Sequence, residues 1–187
     1  MFEYKDYGER VLHNTLTSLA KYSQPKSYLE IGTREGDSLK SVFIGCYKIK
    51  KLVLCDTWGS AYGGTGKGNH KHIETFLKVI GYDGEVKFLD GDSKYMIPTL
   101  NEKFDLILVD GDHSYKGAYT DLQNTWRLLK EGGFLVFDDV THKDHKYLYD
   151  CIMKFAVAFN AVVFFQLFLD NGVVILSKCK RTALLGY

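Results

Sequence analysis

The sequence predicts an α/β domain: a seven-stranded, mostly parallel sheet that closes with an antiparallel hairpin and carries helices on both faces. Three features predict it. Apolar runs of strand length alternate with segments of helical period, the pattern of a parallel sheet between helices. The run Phe104-Asp105-Leu106-Ile107-Leu108-Val109 is apolar nearly throughout, as suits a strand covered on both faces. The last two apolar runs are joined by Asp170-Asn171-Gly172, and Asn and Gly accept the positive φ of a tight turn. With 187 residues and no internal repeat, the chain reads as a single domain over 1–187: an opening helix within 8–24 and a core over 27–178.

The elements follow in order. Val11, Leu12, Leu16, Leu19 and Ala20 recur at helical spacing, which makes the opening stretch a helix. Residues 28–31 form a first strand that ends at Gly32, and 38–46 the helix after it. Residues 51–55 are the second strand, followed by a Gly-rich loop over 59–68, a helix over 70–80 and a third strand over 85–89. The fourth strand, 104–109, leads to a helix over 115–130 that Gly132-Gly133 should stop. Residues 134–137 are the fifth strand and 145–159 a further helix. The runs 161–169 and 173–176 complete the sheet.

Composition narrows the function. A formal net charge of +1 with no basic block gives no support to a phosphate-binding surface for nucleic acid. Cys46, Cys55, Cys151 and Cys179 form no CxxC pair, so they read as buried, reduced thiols. No apolar run approaches the ~20 residues of a membrane span, and the opening MFEYKDYGER has no signal-peptide core. The expectation is a soluble, cytoplasmic protein that acts on a small molecule, without a membrane partner.

The first strand runs into Glu30-Ile31-Gly32-Thr33-Arg34-Glu35-Gly36-Asp37-Ser38, a glycine turn entering a helix. Such a turn sets backbone N–H groups and a helix N-terminus against a ligand. A dinucleotide wants GxGxxG, and here bulky Arg34 stands between Gly32 and Gly36, so that pattern fails. Glu30 at the strand end would repel a pyrophosphate and attract the ammonium of a methionine moiety. Asp56, directly after the second strand, faces the same crevice, where a carboxylate accepts both ribose hydroxyls; a loop cap is its plainer role. Asp90-Gly91-Asp92-Ser93 follows the third strand and suits an adenine edge. Three polar loop starts converge on one crevice.

On these residues the chain resembles the class I S-adenosylmethionine-dependent methyltransferases, from Leu29 to about Leu176. The resemblance implies a Rossmann-like sheet with the antiparallel ending, and S-adenosylmethionine as cofactor. It implies cofactor contacts from Glu30, Gly32, Thr33, Gly36 and Ser38, from Asp56 and Thr57, and from Asp92, Ser93 and Asp110. Arg34 departs from the pattern, since many members carry a glycine there.

The fourth strand ends in Asp110-Gly111-Asp112-His113-Ser114-Tyr115 and the fifth in Phe137-Asp138-Asp139-Val140. Neighbouring parallel strands end ~5 Å apart, so Asp110, Asp138 and Asp139 should crowd one volume and repel unless a positive group joins them. A hard divalent cation such as Mg²⁺ is the simplest such group. These segments look like the metal-dependent O-methyltransferases, in particular the group acting on sugars and macrolides. The resemblance casts Asp110, Asp138 and Asp139 as metal ligands and His113 as general base, with Mg²⁺ or a similar ion polarising an acceptor hydroxyl.

Other readings of these residues stay open. Asp112 serves equally as the ligand at the strand tip or as a helix cap, and Asp138-Asp139 as caps. Asp138, Asp139, His142 and His145 form a possible transition-metal set. The 59–68 loop reads as a lid, with Trp58 and Tyr62 over a ligand, or as a surface connection. Base N-methylation through an Asx-Pro-Pro-aromatic loop is not expected at Asp110-Gly111-Asp112-His113, because the chain's prolines are Pro25 and Pro98. The aromatic last strands could form an apolar edge that pairs two copies as a homodimer. A metal-independent methyltransferase acting on another acceptor, an RNA ribose included, is the second class of function, and a non-catalytic cofactor-binding module the third.

Overall fold

The computed structural model describes residues 10–59 and 68–178. The opening helix α1 (Arg10–Ser23) precedes β1 (Ser27–Ile31), α2 (Asp37–Gly45) and β2 (Lys51–Asp56). Then come α3 (His70–Val79), β3 (Glu85–Asp90), α4 (Ser93–Met96) with a 3-10 turn Ile97–Thr99, and β4 (Phe104–Val109). The chain continues through α5 (Tyr115–Trp126), β5 (Leu129–Phe137), α6 (Tyr147–Ala158), β6 (Val162–Leu167) and β7 (Val173–Ser177).

The seven strands lie in the order β3-β2-β1-β4-β5-β7-β6. β1 to β5 are parallel, while β7 pairs antiparallel with both β5 and β6. Alternation along the strands divides the core in two. Leu29, Ile107 and Val109 face Leu122, Ile152 and Phe155 of α5 and α6. Tyr28, Leu106 and Leu108 face Leu16, Leu39, Val42 and Ile73 of α1, α2 and α3. Away from the site, Asp105 Oδ2 accepts from the N–H groups of Lys26 and Ser27, and Lys130 Nζ reaches its Oδ1 at 2.9 Å, a polar brace across β1, β4 and β5.

Two boundaries differ from the sequence expectation by more than two residues. The helix after β4 ends at Trp126 rather than 130, and β5 starts at Leu129, so Gly132-Gly133 lies inside a strand. Leu128 and Leu129 are about 1% exposed, and their burial against β4 outweighs continuation of the helix. The register of β4 and β5 shifts between Phe104 and Leu106. The short α4 and its 3-10 turn were absent from the sequence reading, because four residues show no period. The 168–172 connection carries positive φ at Asp170 and Gly172, so the expectation holds for Gly172 while Asp170 takes the place expected of Asn171. β6, at the sheet edge, exposes Val162, Phe164 and Phe165. No described helix is long and apolar enough to cross a membrane.

The chain steps outward from β1 through β2 to β3, then returns to the centre and steps the other way from β4. The switch therefore lies between β1 and β4, where open α/β sheets place their ligand crevice. All of the candidate residues sit at that end.

Candidate active site

The β1–α2 turn packs directly on the end of β4. Gly32 has φ +87°, and a Cβ there would lie 1.8 Å from the carbonyl oxygen of Asp110. Only glycine meets both conditions. Gly32 N–H donates to the Cys55 carbonyl and Asp110 N–H to that of Ile31, so three strand ends are tied together. Gly36, at φ +77°, begins α2. Arg34 adopts φ +50°, a region that glycine favours, and is held there by a 2.7 Å hydrogen bond from its N–H to Asp56 Oδ2. Asp56 Oδ1 accepts from Trp58 N–H at 2.8 Å. Asp56 thus organises two loops, a role the sequence offered only as a cap, while each carboxylate oxygen keeps a lone pair for a ligand.

Beneath the turn, Glu30 is fully buried and Ser38 Oγ donates to its Oε1. Burial pushes the Glu30 carboxyl up to about 8, against the Ser38 hydrogen bond. Its Oε2 and the buried Thr33 Oγ1 have no hydrogen-bond partner. Buried polar atoms without a partner are rare, and these two lie beside the glycine turn. Thr57 follows Asp56 in the adjacent loop, half-buried.

Across the crevice, Asp92 accepts from Lys94 N–H and caps α4, and the buried Ser93 Oγ donates to Asp121 Oδ1 at 2.6 Å. Both line a cavity of about 190 Å³ with Asp112, Ser114, Gly117 and Asp121. Asp121 was not found from sequence. It is 1% exposed, and burial pushes its carboxyl up to about 7. The available signal was one acid among Ala118, Leu122 and Thr125, on the buried face of α5.

The acidic end assembles a triad. Among the described residues, Asp110, His113 and Asp139 bring ligand atoms within 4.8 Å of one another. His113 Nε2 lies 3.3 Å from Asp110 Oδ1 and 3.3 Å from Asp139 Oδ2. Asp138, expected beside them, is not among the donors of this group. Asp139 takes φ +59°, which re-aims the chain as it leaves β5. Burial and the Asp139 charge hold the Asp110 carboxyl above its ordinary range, with His113 opposing. The Asp110 hydrogen bond and the surrounding carboxylates raise His113, against its burial.

Asp112 takes a different part: it accepts from Ser114 N–H at 2.8 Å, and Ser114 Oγ is the cap of α5, accepting from Gly117 N–H. His142 and His145 do not join a four-residue metal set with Asp138 and Asp139. Instead the His145 ring lies between those of His142 (5.0 Å) and His113 (5.1 Å). Tyr147 Oη donates to the His113 carbonyl at 2.8 Å and lies 3.1 Å from His145 Nδ1, clasping the loop after β5 to the loop after β4. Sequence reading missed Tyr147, because such a contact spans 34 positions. His70 stacks on Phe88 at 4.1 Å and lies 2.8 Å from Asp90. Most of the 59–68 loop, including Tyr62, falls outside the described residues.

Comparisons with known proteins agree with this geometry. The chain is 30% identical over 131 residues to an uncharacterized protein of Acanthamoeba polyphaga mimivirus, covering 65% of this chain and 53% of that one. It is 28% identical over 127 residues to O-methyltransferase hkm8 of Aspergillus hancockii, covering 68% and 48%. The chain therefore spans about half the length of these curated relatives. Its fold superposes on the O-methyltransferase from Bacillus cereus in complex with SAH, with a TM-score of 0.65, 16% identity, and 94% and 84% of the two chains covered. The methyltransferase domain family model matches residues 29–140, from the strand that carries Glu30 to the residue after Asp139, and the chain belongs to that family.

Proposed function

We propose that this chain transfers a methyl group from S-adenosylmethionine to a hydroxyl oxygen of a small molecule, assisted by a divalent cation at Asp110, His113 and Asp139. One residue carries the reading: Asp110 packs its carbonyl over the Gly32 turn and commits its carboxylate to the triad, so cofactor crevice and acidic centre are contiguous. The name of the Aspergillus relative supports oxygen as the methyl acceptor.

The residues fit the cofactor. Glu30 Oε2 and Thr33 Oγ1 lack partners and suit an ammonium and a carboxylate; Asp56 suits vicinal hydroxyls; Ser93 and Asp92 line the cavity beyond. Gly32 lets backbone approach the ligand without a side chain between. The cofactor supplies a sulfonium methyl, which passes to the acceptor oxygen as the carbon–sulfur bond breaks and leaves a neutral thioether. The triad also fits a cation, offering two carboxylates and one imidazole nitrogen in a small volume. A cation held by these three side chains would supply Lewis-acid polarisation of the acceptor hydroxyl. The chain's own part is to hold that oxygen in line, take up its proton at the triad and exclude water.

The test is incubation of the purified chain with isotopically labelled S-adenosylmethionine and a panel of phenols, catechols and sugars, with product mass as readout. Labelled methyl ether that vanishes in Asp110→Asn and Asp139→Asn supports the reading. Cofactor binding without transfer to any acceptor would favour a binding module instead.

A further inference from the structure

Resting on the cofactor reading above, we infer that Asp121 is a positioning residue for the cofactor's base. It takes the one hydrogen of the Ser93 hydroxyl, leaves that oxygen able only to accept, and so makes the site select a 6-amino over a 6-oxo purine.

Asp121 stands on the buried face of α5 and is 1% exposed. Its Oδ1 accepts from Ser93 Oγ at 2.6 Å, across 28 positions of chain. Its Oδ2 is buried without a partner. That oxygen lies beneath the loop after β4, where a Cβ on Gly111 would come 2.9 Å from it and 2.6 Å from Ile31 Cγ2. The missing side chain at Gly111 is what lets the carboxyl sit there. One carboxyl on α5 therefore spans from the first residue of α4, next to Asp92, to the backbone between Asp110 and Asp112. A buried carboxyl with one oxygen unpaired is a cost to the fold, and Ser93 is the group whose bonding it decides.

A hydroxyl has one hydrogen and two lone pairs. With its hydrogen on Asp121, Ser93 meets a ligand in the cavity by acceptance alone. The rest of the wall has the same polarity. Asp92 and Asp112 line the cavity, and each gives one carboxylate oxygen to a backbone N–H of its own loop. Lys94 and Lys116, the cations of the lining, are exposed. A wall rich in acceptors bonds an exocyclic amino group. A carbonyl in the same place faces the Ser93 oxygen with no hydrogen between them, and a buried polar pair of that kind weakens binding by about tenfold or more.

The experiment is calorimetric titration of the full chain at pH 8 with S-adenosylhomocysteine and with S-inosylhomocysteine, its 6-oxo counterpart. At that pH the Asp121 carboxyl, which burial lifts to about 7, is ionised and can only accept. The quantity read is the ratio of the two dissociation constants, which a merely structural role leaves unmoved because it weakens both ligands alike. Wild type should prefer the 6-amino ligand by at least about tenfold. Ser93→Ala should cut that ratio at least about fivefold. Asp121→Ala, which frees the hydroxyl hydrogen to turn toward a carbonyl, should cut it as far, and the double variant no further, since both act through one group. Asp121→Asn, which keeps an acceptor oxygen for Ser93, should hold the ratio within about threefold of wild type. Thermal midpoints without ligand check that each variant folds. An unchanged ratio in Ser93→Ala, equal weakening of both ligands in Asp121→Ala, or a further fall in the double variant would overturn the inference. If Asp121→Ala does not fold, Ser93→Ala and Asp121→Asn decide, and a ratio kept in the first or lost in the second overturns it. Binding of neither ligand by wild type would instead overturn the cofactor reading itself, so the two failures are told apart.

Discussion

Replacing Glu30 with Gln should stabilise the fold and weaken cofactor binding. Glu30 is fully buried, with one oxygen bonded to Ser38 and the other without a partner. Its carboxyl is raised from an ordinary 4.5 to about 8, with burial the largest cause. The folded state therefore holds this proton more tightly than the unfolded chain does. Below about pH 4.5 the group leaves stability unaffected; between 4.5 and about 8 it lowers stability progressively, and above 8 the loss is constant. At ~1.4 kcal/mol per pH unit the full loss is about 5 kcal/mol, of which about 3 kcal/mol falls between pH 5.5 and 8. Glutamine has the same shape and no charge to desolvate. Urea denaturation followed by tryptophan fluorescence at pH 5.5, 7 and 8 should show the variant gaining about 3 kcal/mol on the wild type across that range. A difference that moves by less than about 1 kcal/mol would refute the argument that desolvation dominates Glu30. In the same samples S-adenosylmethionine should bind about tenfold more weakly to the variant at pH 8, because an ionised partner for its ammonium is gone. A buried carboxyl kept at a cost to the fold is the expected signature of a binding residue.

Other perturbations have equally definite outcomes. Gly32→Ala places a methyl 1.8 Å from the Asp110 carbonyl at φ +87°; it should cost at least about 3 kcal/mol in denaturant titrations, and a loss under about 1 kcal/mol would contradict the packing of the two loops. Asp56→Ala removes the acceptor of the Arg34 and Trp58 N–H groups; a loss of about 2 kcal/mol with weaker cofactor binding is expected by denaturation and calorimetry. Ser93→Ala deprives buried Asp121 of its 2.6 Å donor and should destabilise by about 1–3 kcal/mol. Because burial holds that carboxyl near 7, the loss should be larger at pH 8, where the folded state carries the carboxylate that Ser93 bonds, than at pH 5.5, where the folded state holds the neutral acid while the unfolded chain is ionised. Tyr147→Phe removes the clasp to the His113 carbonyl and should lower metal affinity roughly tenfold or more, with cofactor binding unchanged in thermal shift.

The sequence by itself determined the class of fold, because hydrophobic periodicity is local. Strands of alternating or unbroken apolar residues, helices of 3.6 period and the Asp170-Asn171-Gly172 turn announce themselves within a few positions. It also determined that Glu30, Asp56, Ser93 and Asp110 lie at or just beyond the C-terminal ends of neighbouring strands, since parallel strands deliver those ends to one edge of the sheet. Where burial across the sheet overrode a local signal, it misled: Gly132-Gly133 resembles a helix stop, yet Leu128 and Leu129 pull the chain into β5 before it arrives. Only the tertiary structure decided between near-identical neighbours. Asp138 and Asp139 differ by one position, both lie beyond the end of β5, and it is Asp139, at φ +59°, that brings an oxygen to His113 beside Asp110. The structure likewise made Asp56 the anchor of Arg34, disclosed Asp121 behind Ser93, and joined Tyr147 to His113. Each of these contacts joins residues more than 20 positions apart, and a hydrogen bond of that reach is fixed by packing, which no local pattern encodes.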